Sequence, residues 1–315
     1  MMRAFVVALS LLLGGCVAER LAAGPGPATP AFVDEEHWRS NDGYVLGMSQ
    51  WQAERPRAVI VALHGMNDYG QFIEGAAKHW QRRAITTYAY DQRGFGRTEG
   101  NGRWPGHEVM AEDARAFIDI VRARHRGVPI YLLGESMGGA VAMVAAAGRA
   151  EPTADGLILV SPALWGWSNL DVIKRSALWV MMQIAPGSRL TGRGLNIKPS
   201  DNERMLIALG RDPYVIKATR IDAVYGLTDL MEAAWRAAPA VRTPTMVLYA
   251  DGDEVVPSKP IEDVAAAMPG TKQVVCYDDG FHMLLRDTKG ERTWAAIEAF
   301  IGANGGPSLA CAKDP

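Results

Sequence analysis

The hexapeptide Gly134-Glu135-Ser136-Met137-Gly138-Gly139 sets a serine among small residues. It follows the apolar run Pro129-Ile130-Tyr131-Leu132-Leu133 and opens an alanine-rich stretch through Ala147. A serine with glycines two residues to either side, at a strand-to-helix junction, is the context of a G-x-S-x-G elbow. The glycines let the backbone fold back on itself, and the hydroxyl projects above the sheet. The helix N-terminus offers N–H groups and partial positive charge to a developing anion. The chemistry this fits is nucleophilic attack through a stabilised oxyanion, and the pattern occurs once in the chain.

A serine hydroxyl attacks poorly until a base takes its proton. Six histidines are candidates (37, 64, 79, 107, 125 and 282), and only His282 lies far beyond the serine. Elbow-type folds run in the order Ser, Asp or Glu, His, which selects His282. It follows Gly280-Phe281 after an apolar run ending near Tyr277 and so belongs on a loop at the carboxyl end of a sheet, where ligands bind. The acid that orients the imidazole is expected after the preceding strand, in Ala250-Asp251-Gly252-Asp253-Glu254-Val255-Val256-Pro257. Asp251 and Asp253 compete. Asp251-Gly252 reads as the turn that lets the later carboxylate of Asp253 point inward, and Glu254 and Asp278-Asp279 read as solvated turn charges. Leu63-His64-Gly65-Met66-Asn67 follows an early strand; its Met66 N–H, paired with that of Met137, supplies a two-donor oxyanion hole. His64, preceding the serine, reads as a loop-fixing hydrogen-bonder. The turn-rich segment Tyr90 through Gly100 reads as a structural loop at the mouth of the site.

Positioning these groups requires a sheet. Val59-Ile60-Val61-Ala62-Leu63, Thr86-Thr87-Tyr88-Ala89-Tyr90, Ile130-Tyr131-Leu132-Leu133, Leu157-Ile158-Leu159-Val160 and Thr245-Met246-Val247-Leu248-Tyr249 are continuously apolar or β-branched. A parallel sheet covered on both faces demands that pattern. Helical stretches at about 72–83, 109–125, 137–149, 261–268 and 292–301 fall between or after them. The fold class is therefore α/β, with a mostly parallel sheet, helices on both faces, and residues 44–50 as an antiparallel edge. From about 163 to 239 no sheet strand appears, so this stretch reads as an insertion. Its residues 165–184 are densely apolar but not one-faced: packing accounts for about half, and the remainder is left to face a ligand cavity or lipid.

The 315 residues suit one catalytic domain, 34–303, and 48% hydrophobic content gives it a sizeable core. A net charge of −2 with scattered basic residues gives no nucleic-acid footprint. No metal-ligand spacing, cofactor motif or obligate protein partner is evident. Arg3, the apolar run from Ala4 to Leu13 and Gly14-Gly15-Cys16 read as a secretory signal over 1–15, too short to span a bilayer. Residues 16–33, rich in Ala, Gly and Pro, read as a flexible tether, and 304–315 as a disordered tail. Cys276 reads as a small buried thiol, with a disulfide to Cys311 as the alternative.

Leu13-Gly14-Gly15-Cys16 resembles the lipobox of bacterial lipoproteins. That resemblance implies acylation of Cys16 and a membrane anchor facing the periplasm, on the outer membrane since Val17 follows the cysteine; an ordinary cleaved signal with release is the alternative. Taken in order, His64-Gly65, Asp91 through Arg97, Gly134 through Gly139, Asp251-Gly252-Asp253 and Gly280-Phe281-His282 resemble the monoacylglycerol lipase and lysophospholipase branch of the α/β-hydrolases, over about 36–303. The resemblance implies an α/β-hydrolase fold, Asp253 as the triad acid, and a helical cap at 163–239 over an acyl-binding tunnel. It also implies hydrolysis of an amphiphilic acyl ester without metal or nucleotide. Glu135 and Phe95 stand where the branch commonly carries histidines. An aminopeptidase or thioesterase on the same scaffold, an acyltransferase and a non-catalytic surface lipoprotein are the competing readings.

Overall fold

The computed structural model describes residues 20–148, 152–192, 194, 196–269 and 272–303. The expected signal peptide, Cys16, and the tail with Cys311 lie outside the described residues. Eleven strands and eight α-helices run along the described chain. The strands are β1 (Ala31–Phe32), β2 (His37–Arg39), β3 (Val45–Trp51), β4 (Ala58–Leu63), β5 (Ile85–Tyr90), β6 (Ile130–Glu135), β7 (Gly156–Val160), β8 (Arg189–Leu190), β9 (Thr219–Arg220), β10 (Thr245–Ala250) and β11 (Lys272–Tyr277). The helices are α1 (Glu74–Gln81), α2 (His107–Arg124), α3 (Met137–Ala146), α4 (Val172–Ile184), α5 (Glu203–Arg211), α6 (Ile221–Ala237), α7 (Ser258–Ala267) and α8 (Gly290–Ala303).

Nine strands form one sheet in the order β1-β2-β3-β5-β4-β6-β7-β10-β11, and every pair from β5 to β11 is parallel. The side-chain alternation of β4 shows why its sequence is apolar throughout. Val59, Val61 and Leu63 enter the core under α2, α3, α6 and α7, while Ala58, Ile60 and Ala62 enter the core under α1 and α8. The chain passes from β4 outward to β5 and returns to β6 on the other side of β4. This reversal opens a crevice at the carboxyl ends of β4 and β6.

Several expectations need correction. Residues 44–50 are antiparallel to β5, but β2 and β1 continue the sheet beyond them, so β3 is not an edge. The stretch read as tether is bonded to the body from its first described residues. Leu21 N–H donates to Trp104 O (3.3 Å), Gly26 N–H to Asp42 O (2.9 Å), Ala28 N–H to Asn41 O (2.6 Å), and β1 follows. Composition disfavours a core of its own for this segment, but its backbone groups find partners on the 41–44 turn. Cys276 is disulfide-bonded, not a thiol. The insertion holds α4, α5 and α6, plus a two-residue antiparallel ladder, β8–β9, too short to leave a periodic signal.

Within the insertion, α6 packs Leu230 and Ala234 into the main core. Helix α4, capped by Asp171, which accepts from the Lys174 N–H (2.9 Å), behaves differently. Val172, Ile173, Trp179 and Ile184 are 74%, 77%, 56% and 66% exposed, so packing explains little of this apolar helix. Among the described residues no helix is long and apolar enough to cross a membrane.

Candidate active site

Ser136 sits at the turn from β6 into α3 with φ 54° and ψ −117°. Such a conformation costs a non-glycine residue about 1–3 kcal/mol and persists only where the surroundings over-determine it. They do: the Ser136 N–H donates to Val160 O (3.0 Å), and its carbonyl accepts from Gly139 (2.9 Å), Ala140 (3.3 Å) and Ala163 (3.0 Å). The neighbouring glycines are required by contact. A Cβ on Gly134 would collide with the Gly138 carbonyl, and one on Gly138 with the Leu63 carbonyl. Because both obstacles are backbone, neither can swing aside. Gly138→Ala is therefore expected to lower the unfolding free energy by about 2–4 kcal/mol, read as a fall in the urea midpoint at unchanged m-value.

The acid and the base arrive from the two strands at the far side of the sheet. Asp253 follows β10 and His282 follows β11, both at the carboxyl ends. His282 Nδ1–H donates to Asp253 Oδ2 at 2.8 Å, and the two side chains are 8% and 1% exposed. Asp253 Oδ1 accepts the N–H groups of Val255 (2.7 Å) and Val256 (3.0 Å), which fixes the carboxylate plane. Asp251 is exposed in the turn, as the turn reading requires. The His282 loop is held in its own right: the Phe281 N–H donates to Asp287 Oδ2 (2.9 Å) and the Met283 N–H to Pro199 O (2.9 Å).

Ser136 and His282 line a single cavity of about 420 Å³ with Gly65, Met66, Asn67, Val255 and Met283. Ile197 and Pro199 of the insertion form part of its wall. A larger concavity of about 710 Å³ lies elsewhere, around residues 20–25 and the β2–β3 turn, so size alone does not single out the site. Because β4 neighbours β6, the loop after β4 lies against the elbow. A Cβ on Gly65 would stand 3.3 Å from Ser136 Cβ. Among the described residues neither the Met66 nor the Met137 N–H donates a hydrogen bond, so both are free to receive an anion.

His64 is fully buried and is one of the groups that fix this loop. The Gln92 N–H donates to His64 Nε2 (2.9 Å), which leaves the proton on Nδ1 to donate to Gly65 O (2.8 Å). Burial holds its pKa below the ordinary histidine value, so the ring stays neutral. The segment 90–100 carries Gln92 and is pinned by Asp91, whose carboxylate accepts from the Gly70 N–H (2.8 Å) and from Arg97 Nε (2.8 Å). Phe95 packs edge-on against the His64 ring at 5.7 Å.

One cluster has no counterpart in the sequence reading. Arg286 Nη1 meets Asp68 Oδ2 at 2.7 Å and Arg286 Nη2 meets Glu135 Oε1 at 2.8 Å, at the wall of the same cavity. Burial pushes the Glu135 carboxyl up despite the adjacent guanidinium. For Arg286, burial pulls downward, but the charges of Asp68 and Glu135 outweigh it and raise the pKa. A glutamate at the buried end of a central strand calls for a cationic partner, and that was the available signal; which cation answers it is a long-range question. Glu254, read as a solvated charge, is exposed, but its Oε2 accepts the Lys198 N–H of the insertion (2.7 Å).

The family model described as "Serine aminopeptidase, S33" (Hydrolase_4) matches residues 54–289. The chain belongs to that family. The span matched to the S33 family takes in Met66, Ser136, Asp253 and His282 and ends just before α8. A monoglyceride lipase of Rattus norvegicus is 26% identical over 268 residues, covering 83% of this chain and 87% of the relative. The phospholipase YtpA of Bacillus subtilis is 28% identical over 212 residues, covering 66% and 81%. Among solved structures, a soluble variant of monoglyceride lipase from Saccharomyces cerevisiae in complex with a substrate analog superposes with a TM-score of 0.72 at 16% identity. It covers 90% of this chain and 100% of that one. This S33-family chain therefore has an α/β-hydrolase fold, with a mostly parallel sheet and an inserted helical cap.

Proposed function

We propose that the chain is a serine ester hydrolase that cleaves amphiphilic acyl esters, such as monoacylglycerols or lysophospholipids, through an acyl-enzyme on Ser136. The observation that carries this reading is the strained elbow serine sharing one cavity with an imidazole whose far nitrogen is locked to a buried carboxylate. Ser136 Oγ attacks the ester carbonyl carbon while its proton passes to His282 Nε2. The carbonyl oxygen, now an anion, is held by the Met66 and Met137 N–H groups. The carbon–oxygen bond to the alcohol breaks as His282 returns the proton to the leaving oxygen. Water then adds to the acyl carbon with His282 as base, and the acid departs as Ser136 regains its proton. Asp253 keeps the imidazole proton on Nδ1 and stabilises the imidazolium, and no step calls on a metal or nucleotide.

The similarity to the rat monoglyceride lipase and the Bacillus subtilis phospholipase YtpA supports an acylglycerol or phospholipid ester as substrate. The cap supports an amphiphile. Val172, Ile173, Trp179 and Ile184 stand out of α4 into solvent, and burying such a side chain in lipid is worth about 1–2 kcal/mol each. Acylated Cys16 would hold the enzyme at the membrane surface where such substrates concentrate, exported and facing the periplasm.

The family description favours a second reading, aminopeptidase, so the test sets esters against amides. Purified protein is assayed on monoacylglycerols of increasing chain length, a lysophospholipid and aminoacyl amides. Ester turnover is expected to exceed amide turnover by at least ~100-fold in kcat/KM, a difference of about 2.7 kcal/mol. Faster amide cleavage would replace the lipase reading with the aminopeptidase one.

A further inference from the structure

We infer that Arg286 is a positioning residue that clamps the two oxyanion-hole loops together. The inference rests on the ester-hydrolase reading above. Asp68 lies two residues after Met66, and Glu135 lies two residues before Met137. One guanidinium holds both carboxylates, at 2.7 Å and 2.8 Å, so a single planar group spans the loops that carry the two N–H donors. It is itself anchored beside the base. Arg286 is four residues past His282, its N–H donates to Met283 O (2.7 Å), and its carbonyl accepts from the Asn202 side chain (2.9 Å). Phe72 backs the guanidinium, with the ring centroid 5.9 Å from Cζ.

Stability alone does not account for this arrangement. The three side chains are 12%, 8% and 2% exposed, and burying one cation with two anions carries a desolvation cost that an apolar trio of the same volume would avoid. What the charged set adds is geometry. A rigid fork with two fixed acceptors sets the distance between loops far more tightly than apolar contact does. Oxyanion donors act over tenths of an ångström, and they act on the tetrahedral species more than on the bound ester. The clamp therefore governs kcat and leaves KM nearly alone.

The test compares wild type with Asp68→Asn and Arg286→Lys in the full chain, on a soluble monoacylglycerol. Phenylboronic acid serves as the tetrahedral probe, since its boron accepts the Ser136 oxygen. Both variants keep the side-chain volume, and Arg286→Lys keeps the charge while losing the fork. The expected result is a fall in kcat of about 10- to 100-fold, KM within about threefold, and boronate affinity weakened by the same factor as kcat/KM. Melting curves run in parallel. Wild-type kcat and boronate affinity in both variants overturn the clamp, whatever happens to Tm. So does a loss that appears only in KM or only in Tm. A wild type that neither turns over the ester nor binds boronate instead overturns the hydrolase reading, and the clamp falls with it.

Discussion

Replacing Ser136 by alanine is expected to remove ester turnover almost completely, lowering kcat by about 10⁴- to 10⁶-fold, with the fold intact. The size follows from the way the site is assembled. With no hydroxyl there is no acyl-enzyme, and the imidazole, the carboxylate and the two amides have nothing to act on together. The residual rate belongs to whatever the oxyanion donors confer on direct attack by water. Stability should not suffer. The elbow residue is held at φ 54° by bonds from its own backbone, and alanine carries the same Cβ into the same strained turn. Glycine relieves that strain, so Ser136→Gly should be more stable than Ser136→Ala by about 1 kcal/mol in urea unfolding while equally inactive. Substantial turnover by Ser136→Ala would mean that another group is the nucleophile.

The second large effect belongs to Asp253. Asp253→Asn is expected to lower kcat by about 10⁴-fold on the same ester. The carboxylate accepts three hydrogen bonds: His282 Nδ1–H on one oxygen and two backbone N–H groups on the other. In the asparagine variant the backbone amides keep the carbonyl oxygen on their side. The NH₂ then faces His282 and drives the ring into the tautomer whose Nε2 bears the proton, which cannot accept one from serine. Asp251→Asn, in an exposed turn whose N–H bonds to Tyr277 O, should stay within about twofold of wild type. Equal losses in the two variants would return the acid's identity to the choice that the sequence left open.

Much of this site was legible because its chemistry is local in sequence. The elbow needs glycine at 134 for a contact made four residues along, with the Gly138 carbonyl. The G-x-S-x-G spacing brings Gly138 with it, although the contact that Gly138 makes is with Leu63 of the neighbouring strand. A strand with no polar residue announces burial on both faces. Chain order then selected His282 from six histidines, since each residue sits at the carboxyl end of its own parallel strand. The Arg286 clamp was not legible for the converse reason. Its partners lie 151 residues apart for Glu135, and no spacing or periodicity marks the bond. Residues 20–33 misled through composition: glycine and proline forecast a chain without a core, and this segment is held by backbone bonds to the 41–44 turn instead. Helix α4 misled in the opposite sense. Across the stretch 165–184, of which about half was expected to pack, Trp165 and Trp167 are half-buried, whereas Val172, Ile173, Trp179 and Ile184 of α4 stand in solvent.

The structure also shows how the insertion is seated at the mouth of the site. The cap contacts the oxyanion loop through the Ile216 N–H on Asn67 O (2.9 Å) and the Asn67 side chain on Thr219 Oγ1 (2.6 Å). It contacts the His282 loop through Pro199. These polar bonds, with those of Ser200 to Asp287 and Asn202 to Arg286 O, seat the cap on both banks of the cavity, while the Asp253–His282 pair is bonded within the loops after β10 and β11.

The central claim is that one hydroxyl, at Ser136, becomes the nucleophile. Wild-type protein treated with a fluorophosphonate should gain the mass of a single phosphonyl adduct, located by peptide mapping on Ser136 and missing from Ser136→Ala. An adduct on a different residue, or an unmodified wild type under conditions that label a known serine esterase, would contradict it.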